Sequence, residues 1–168
     1  KVERELDMLR RTPGVPRYQK DGWLNLGENE DGDENKAIMW RVVFPAGDKA
    51  VTGASIVDEV PAGSKWNFNC DVVNEYTKKH TDPTTSEGLR QDNDTSKGAF
   101  GAAAEVECTP TKVTVKLGEI PANQSAIILL PARIEGAKRA GDVVGVFSNT
   151  VNFNVPGGKV VEPITKTL

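Results

Sequence analysis

Apolar and polar residues alternate with a period of two along most of this chain, the pattern of β-strands that bury one face. Ile38, Trp40, Val42 and Phe44 share one parity and lead into the triplet Pro45-Ala46-Gly47. A second strand is predicted from Val51 to Val60, closed by an identical triplet, Pro61-Ala62-Gly63. In a third, Trp66, Phe68, Cys70 and Val72 alternate with Asn67, Asn69 and Asp71. Val106 and Cys108 share a face, and Val113, Val115 and Leu117 then alternate with Lys112, Thr114 and Lys116. Ile128, Leu130 and Ile134 follow, and Val143 to Val155 is predicted as the last long strand. Short strands punctuated by Gly/Pro turns, with almost no helical period, imply an all-β fold, an immunoglobulin-like two-sheet β-sandwich.

The ends and two inserts depart from this pattern. Val2, Leu6 and Leu9 have helical spacing until Pro13 and Pro16 stop any helix. Residues 1–16 therefore read as an irregular or short helical N-terminal extension, 17–163 as the sandwich, and 164–168 as a linker to a following domain. The run from Gly27 to Asn35 is acidic, and Thr77 to Gly98 is rich in Thr, Asp, Lys, Ser and Gly. Both read as surface loops, the second long enough to imply disorder or a binding role.

Composition narrows the function classes. At 168 residues the chain is long enough for one substantial core. Its net charge of −3 leaves no basic footprint for nucleic acid. The longest apolar run, Ala126 to Pro131, is too short to cross a bilayer as a helix. Cys70 and Cys108 are the only thiols, neither in a CxxC pair, and the single His80 leaves too few soft ligands for zinc. Glu28 to Glu34 offers oxygen ligands without EF-hand spacing, so no metal is assigned and calcium binding at 28–35 is left open. A Ser/His/Asp triad would need His80, which has no nucleophile-elbow motif nearby. There is no GxGxxG and no P-loop, so no cofactor is predicted. Trp40 and Trp66 fall on core parities. Trp23 is the tryptophan whose exposure would favour a carbohydrate-binding reading.

Three segments resemble a known family. Ile38-Met-Trp-Arg-Val-Val-Phe44 followed by Ala54-Ser-Ile-Val-Asp-Glu-Val-Pro-Ala-Gly63 matches a W-x-V/I strand ahead of an I-x-D-x-x-P-x-G strand and turn. Val146-Phe-Ser-Asn-Thr-Val-Asn-Phe153 looks like the S-N-T final strand of the same domains. Together, over roughly Tyr18 to Pro163, they resemble the collagen-binding A-type domains, of variant immunoglobulin fold, of Gram-positive cell-wall-anchored adhesins. Related pilin and stalk domains share the pattern. Each motif is degenerate, and their order and spacing carry the likeness.

The resemblance implies an intramolecular isopeptide bond between a lysine on the first strand and an asparagine on the last, promoted by an acid on a middle strand. Carried onto this sequence, the lysine is Lys20, the acid Asp58 and the asparagine Asn149. Lys36, which shares parity with Ile38 and Trp40, is a rival nucleophile. The acidic insert between Lys20 and Trp40 is longer than the family pattern leads one to expect. Parity agrees with burial of all three: Asp58 points with Ile56, Asn149 with Phe147, Val151 and Phe153, and Lys20 with Tyr18. Read singly, each has an ordinary role: a snorkelling surface lysine, an aspartate capping the Pro61 turn, an asparagine at a bulge. The chemistry needs these types in a dry setting, because burial favours the neutral amine and the protonated carboxyl. The reaction happens once per molecule, so the chain is not an enzyme in the turnover sense.

The resemblance also implies an extracellular, cell-wall-anchored location, the anchor lying in parts of a longer precursor. In that compartment Cys70 and Cys108 are expected to form a disulfide. The expected function is a surface adhesin domain attaching to a host or matrix protein, with collagen among the candidates and adjacent domains of the same chain as neighbours. The alternative is a stalk or pilin module that carries mechanical load and binds nothing.

Overall fold

The computed structural model describes residues 17–26, 37–74, 103–123, 125–137, 139–143 and 145–168. Nine strands make up the described fold: β1 (Gln19–Leu24), β2 (Ile38–Pro45), β3 (Ser55–Glu59), β4 (Trp66–Phe68), β5 (Ala103–Thr109), β6 (Lys112–Leu117), β7 (Ser125–Ile134), β8 (Ser148–Asn154) and β9 (Ile164–Thr167). They form two antiparallel sheets, in the orders β1-β2-β7-β4 and β5-β6-β3-β8-β9. Hairpins β1-β2, β5-β6 and β8-β9 stay within a sheet, and the other connections pass between sheets. This is an immunoglobulin-like two-sheet sandwich.

The period-two pattern holds best in the second sheet. In β3, Ile56 and Asp58 are buried between Ser55, Val57 and Glu59; in β8, Asn149, Val151 and Phe153 are buried between more exposed neighbours. Both Pro-Ala-Gly triplets turn the chain through a glycine of positive φ, 84° at Gly47 and 82° at Gly63. A side chain would be strained in that backbone region.

The centre of the first sheet departs from alternation. All eight residues of β2 are buried, as are all of β7 except Arg133. The inward residues Ile38, Trp40, Val42 and Phe44 join the main core, while Met39 and Val43 pack outward with Trp23, Ile127 and Leu129, and Val72 lies against them. A strand covered on both faces reads as a continuous apolar run. The stretch Ala126 to Pro131 is the middle of such a strand. No helix among the described residues is long and apolar enough to cross a membrane.

Several expected boundaries change. The third strand ends at Phe68, and residues 70–74 are helical. Asn69, a favoured residue type at a helix start, accepts the first helical bond from the Val73 amide at 2.8 Å. Cys70 and the fully buried Val73 then share a helix face, so the apparent alternation through Cys70 and Val72 was not a strand. The last strand begins at Ser148 rather than Val143. Ala140–Asp142 is a short 3-10 turn and Gly145 has a φ of 103°, which breaks any extended run. Val51 makes an isolated bridge to Ile120 outside β3. The segment assigned to a linker, 164–168, instead supplies β9, paired with β8 from Ser148↔Thr167 to Val151↔Ile164. The expected extension 1–16, the acidic insert with Lys36, and the Thr77 to Gly98 stretch with His80 lie outside the described residues.

Candidate cross-linking site

β1 lies at the edge of the first sheet, paired to β2 so that Lys20 stands opposite Val42 and Gly22 opposite Trp40. Both partners face the main core, and the Lys20 side chain goes with them. On the facing sheet, Asp58 of β3 sits opposite Val151 of β8. Asn149 is two residues from Val151 on the same inner face, a diagonal neighbour of Asp58. Register within one sheet thus sets the acid beside the amide, and stacking of the sheets sets the amine above them.

The contacts are direct. Lys20 Nζ donates to Asp58 Oδ2 at 2.5 Å, and Asn149 Nδ2 donates to the same oxygen at 2.9 Å. Asp58 and Asn149 have no exposed surface and Lys20 is 5 % exposed. Lys20 Nζ also lies 5.0 Å from the centroid of the Trp40 ring. Asp58 Oδ1 and Asn149 Oδ1 are buried without a hydrogen-bond partner.

Burial governs the ionisation of the pair. Desolvation lowers the Lys20 pKa, against the opposing pull of Asp58. Desolvation raises the Asp58 pKa, against Lys20 and the Asn149 hydrogen bond. Desolvation is the larger influence on each, so burial pushes the amine toward its neutral form and the carboxyl toward its protonated form. A neutral amine is nucleophilic and a protonated carboxyl is a hydrogen-bond donor.

Cys70 and Cys108 form a disulfide with Cα atoms 5.6 Å apart, tying the helical segment after β4 to β5. Both cysteines are half-buried. Among the described residues no group of three or more His, Cys, Asp or Glu is placed to hold a metal ion. Trp23 is 5 % exposed and packs in the outer apolar cluster, so it offers no open platform for a sugar ring. Trp40 and Trp66 are core residues, as expected.

Sequence reading did not single out Gly22. A Cβ there would lie 2.4 Å from Trp40 Cε3, so the absence of a side chain is what lets the indole lie against β1 beside Lys20. A glycine inside a strand pattern is the available cue to such close approach. Trp66, assigned to packing alone, donates its indole N–H to the Ser148 carbonyl at 3.2 Å.

No protein-family model matches the chain, and no curated protein matches it. Solved structures similar at low identity include these three. One holds manganese lipoxygenase of Gaeumannomyces graminis with partial zonadhesin of Komagataella pastoris, matched over 90% of this chain at 14% identity and a TM-score of 0.49. The match spans 46% of that chain, less than half its length. Another is the collagen-binding subdomain of the Enterococcus faecalis surface protein ACE, at 13% identity and a TM-score of 0.41, covering 91% of this chain and 94% of that one. The third is the collagen-binding domain of a Staphylococcus aureus adhesin, at 13% identity and a TM-score of 0.42, covering 89% and 95%. The last two are of the kind that the three sequence segments resemble. What they bind is a property of those proteins.

Proposed function

We propose that this chain is an extracellular adhesin domain that locks its own sandwich with a Lys20–Asn149 isopeptide bond, promoted by Asp58. The observation that carries the proposal is the convergence of an amine and a carboxamide on one buried carboxylate oxygen. Polar groups are costly in a dry core, and three from separate strands meeting there call for a chemical reason.

The geometry supports a reaction in these steps. Transfer of a proton from Lys20 to Asp58 yields the neutral pair that burial favours. A half-turn of the Asn149 amide, whose oxygen and nitrogen fill the same envelope, brings its carbonyl to the protonated Asp58. Asp58 then stabilises charge growing on that oxygen while Lys20 Nζ attacks Cγ. The Nζ–Cγ bond forms, the Cγ–Nδ2 bond breaks, and Nδ2 leaves as ammonia with the amine's surplus proton. Holding the groups in contact supplies the effective concentration.

The product would join β1 to β8 and enclose most of the sandwich, so tension on its ends could not peel the sheets apart. The surface assignment rests on the resemblance of the three sequence segments, and the Cys70–Cys108 disulfide supports an oxidising compartment. The partner is a host or matrix protein, with collagen the first candidate by that resemblance. A solid-phase panel of matrix proteins tests it: binding is expected, and silence across the panel would favour a stalk.

Intact-protein mass spectrometry tests the bond. Wild type is expected about 17 Da below its sequence mass by loss of ammonia, beyond the roughly 2 Da of a reducible disulfide. Lys20→Ala, Asn149→Ala and Asp58→Ala are expected to keep the ammonia. Full sequence mass in the wild type sinks the bond, and complete ammonia loss in Asp58→Ala sinks the role of the acid.

A further inference from the structure

Asn149 sits just past the end of its ladder. The pairing of β3 with β8 runs from Ser55↔Asn154 to Glu59↔Thr150, so the register gives Ser148 and Asn149 no partner on the β3 side. On the other side they pair with Thr167 and Lys166 of β9, which is four residues long. The reacting amide therefore hangs from backbone that its own sheet holds on one side, by β9 and the reciprocal Phe147–Leu168 hydrogen bonds that follow it. A reaction that depends on contact between two fixed groups needs that backbone held more firmly.

Trp66 meets the need from the opposite sheet. Its indole N–H reaches across to the Ser148 carbonyl, in the peptide unit that leads into Asn149. The same indole packs against Trp40 at 5.2 Å between centroids, tilted by 49°. Trp40 in turn lies over Lys20 Nζ. Phe68 closes edge-on against Trp66 at 5.2 Å, and both belong to the buried core. One continuous aromatic stack thus touches the amine at one end and the backbone of the amide at the other.

We infer that Trp66 is a positioning residue for the cross-link, fixing the Asn149 backbone through the Ser148 carbonyl while its contact with Trp40 seats the amine. This rests on the isopeptide reading above. It assigns to a core tryptophan a role in reaction rate that packing alone does not require.

The test replaces Trp66 with β-(3-benzothienyl)alanine, which keeps the ring's size and removes only the N–H, alongside Trp66→Phe. Cross-linking is followed by intact mass during cell-free synthesis, at several pH values. Phe68→Leu serves as a control for loosened packing on the same strand. Both Trp66 replacements are expected to fold and to lose ammonia on the order of tenfold or more slowly. The pH of half-maximal rate is expected to stay at the wild-type value, because the groups that ionise are untouched. Wild-type rates in the benzothienyl protein overturn the inference, as does equal slowing in Phe68→Leu at matched melting temperature. A wild type that never loses ammonia overturns the isopeptide reading and this inference with it.

Discussion

Lys20 and Asp21 are neighbours on β1, yet each enters an ion pair on a different face of the sheet, and the two pairs live in different solvents. Lys20 meets Asp58 between the sheets, where both side chains have 0% exposure. Asp21 meets Arg41 on the outer face at 2.8 Å, with the Asp21 side chain 37% and the Arg41 side chain 4% exposed, and Gln19 Oε1 accepts a further bond from the same guanidinium at 3.1 Å. In the outer pair the carboxylate keeps water. Burial lowers the Arg41 pKa, but a guanidinium is too basic to lose its proton in a protein. In the inner pair neither partner keeps water, and a lysine, unlike an arginine, can give up its proton. One residue's step along a strand separates a partly hydrated pair with a permanent cation from a dry pair whose cation can lose its proton.

The largest expected effect comes from blocking the proposed Lys20–Asn149 bond. Asn149→Ala should unfold more easily than wild type by about 5 kcal/mol, the chain-entropy value for a loop of about 130 residues. Denaturant titration measures it, and an unchanged midpoint would mean that no strap exists.

Next comes separation of the inner pair in that Asn149→Ala background. Removing either partner leaves an unpaired buried group, at a cost of about 3 to 5 kcal/mol near neutral pH. The pH dependence should have opposite signs in the two variants. With Lys20→Met, Asp58 remains with a raised folded pKa. The folded state then binds more protons than the unfolded chain, so stability should rise as pH falls toward the ordinary value of 3.8. With Asp58→Asn, Lys20 remains with a lowered folded pKa, and stability should rise as pH climbs toward 10.5. Melting curves across pH read both slopes, and parallel slopes would contradict the burial argument.

The smallest effect belongs to the outer pair. Asp21→Asn should cost no more than about 1 kcal/mol, and the cost should shrink with added salt. Cross-linking should proceed at or slightly above the wild-type rate, since Asp21 faces away from Lys20 and its charge favours the protonated amine. A slowed reaction would show the two faces of β1 to be coupled.

Much of this contrast was readable in the chain itself. Parity placed Asp58 with Ile56, and Asn149 with Val151 and Phe153, and both are fully buried. It placed Lys20 with Tyr18, whose ring packs on Phe44 and Phe153 in the same core. Parity misjudged Cys70 and Val72, because over a few residues a helix start and a strand can show the same apolar spacing. β9 went unseen because Ile164–Thr167 has only one apolar residue and gains its order by pairing with β8.

Residue order alone determined the alternating strands, the two Pro-Ala-Gly turns and the presence of an amine, an acid and an amide on apolar faces. Those follow from local backbone preference and from a side-chain period of two. Only the tertiary structure decided that the three meet on one oxygen, that β2 and β7 are covered on both faces, and that Trp66 reaches Ser148. Such facts depend on ladder register and on how two sheets stack, which are set by hydrogen bonds and packing between residues far apart in the chain.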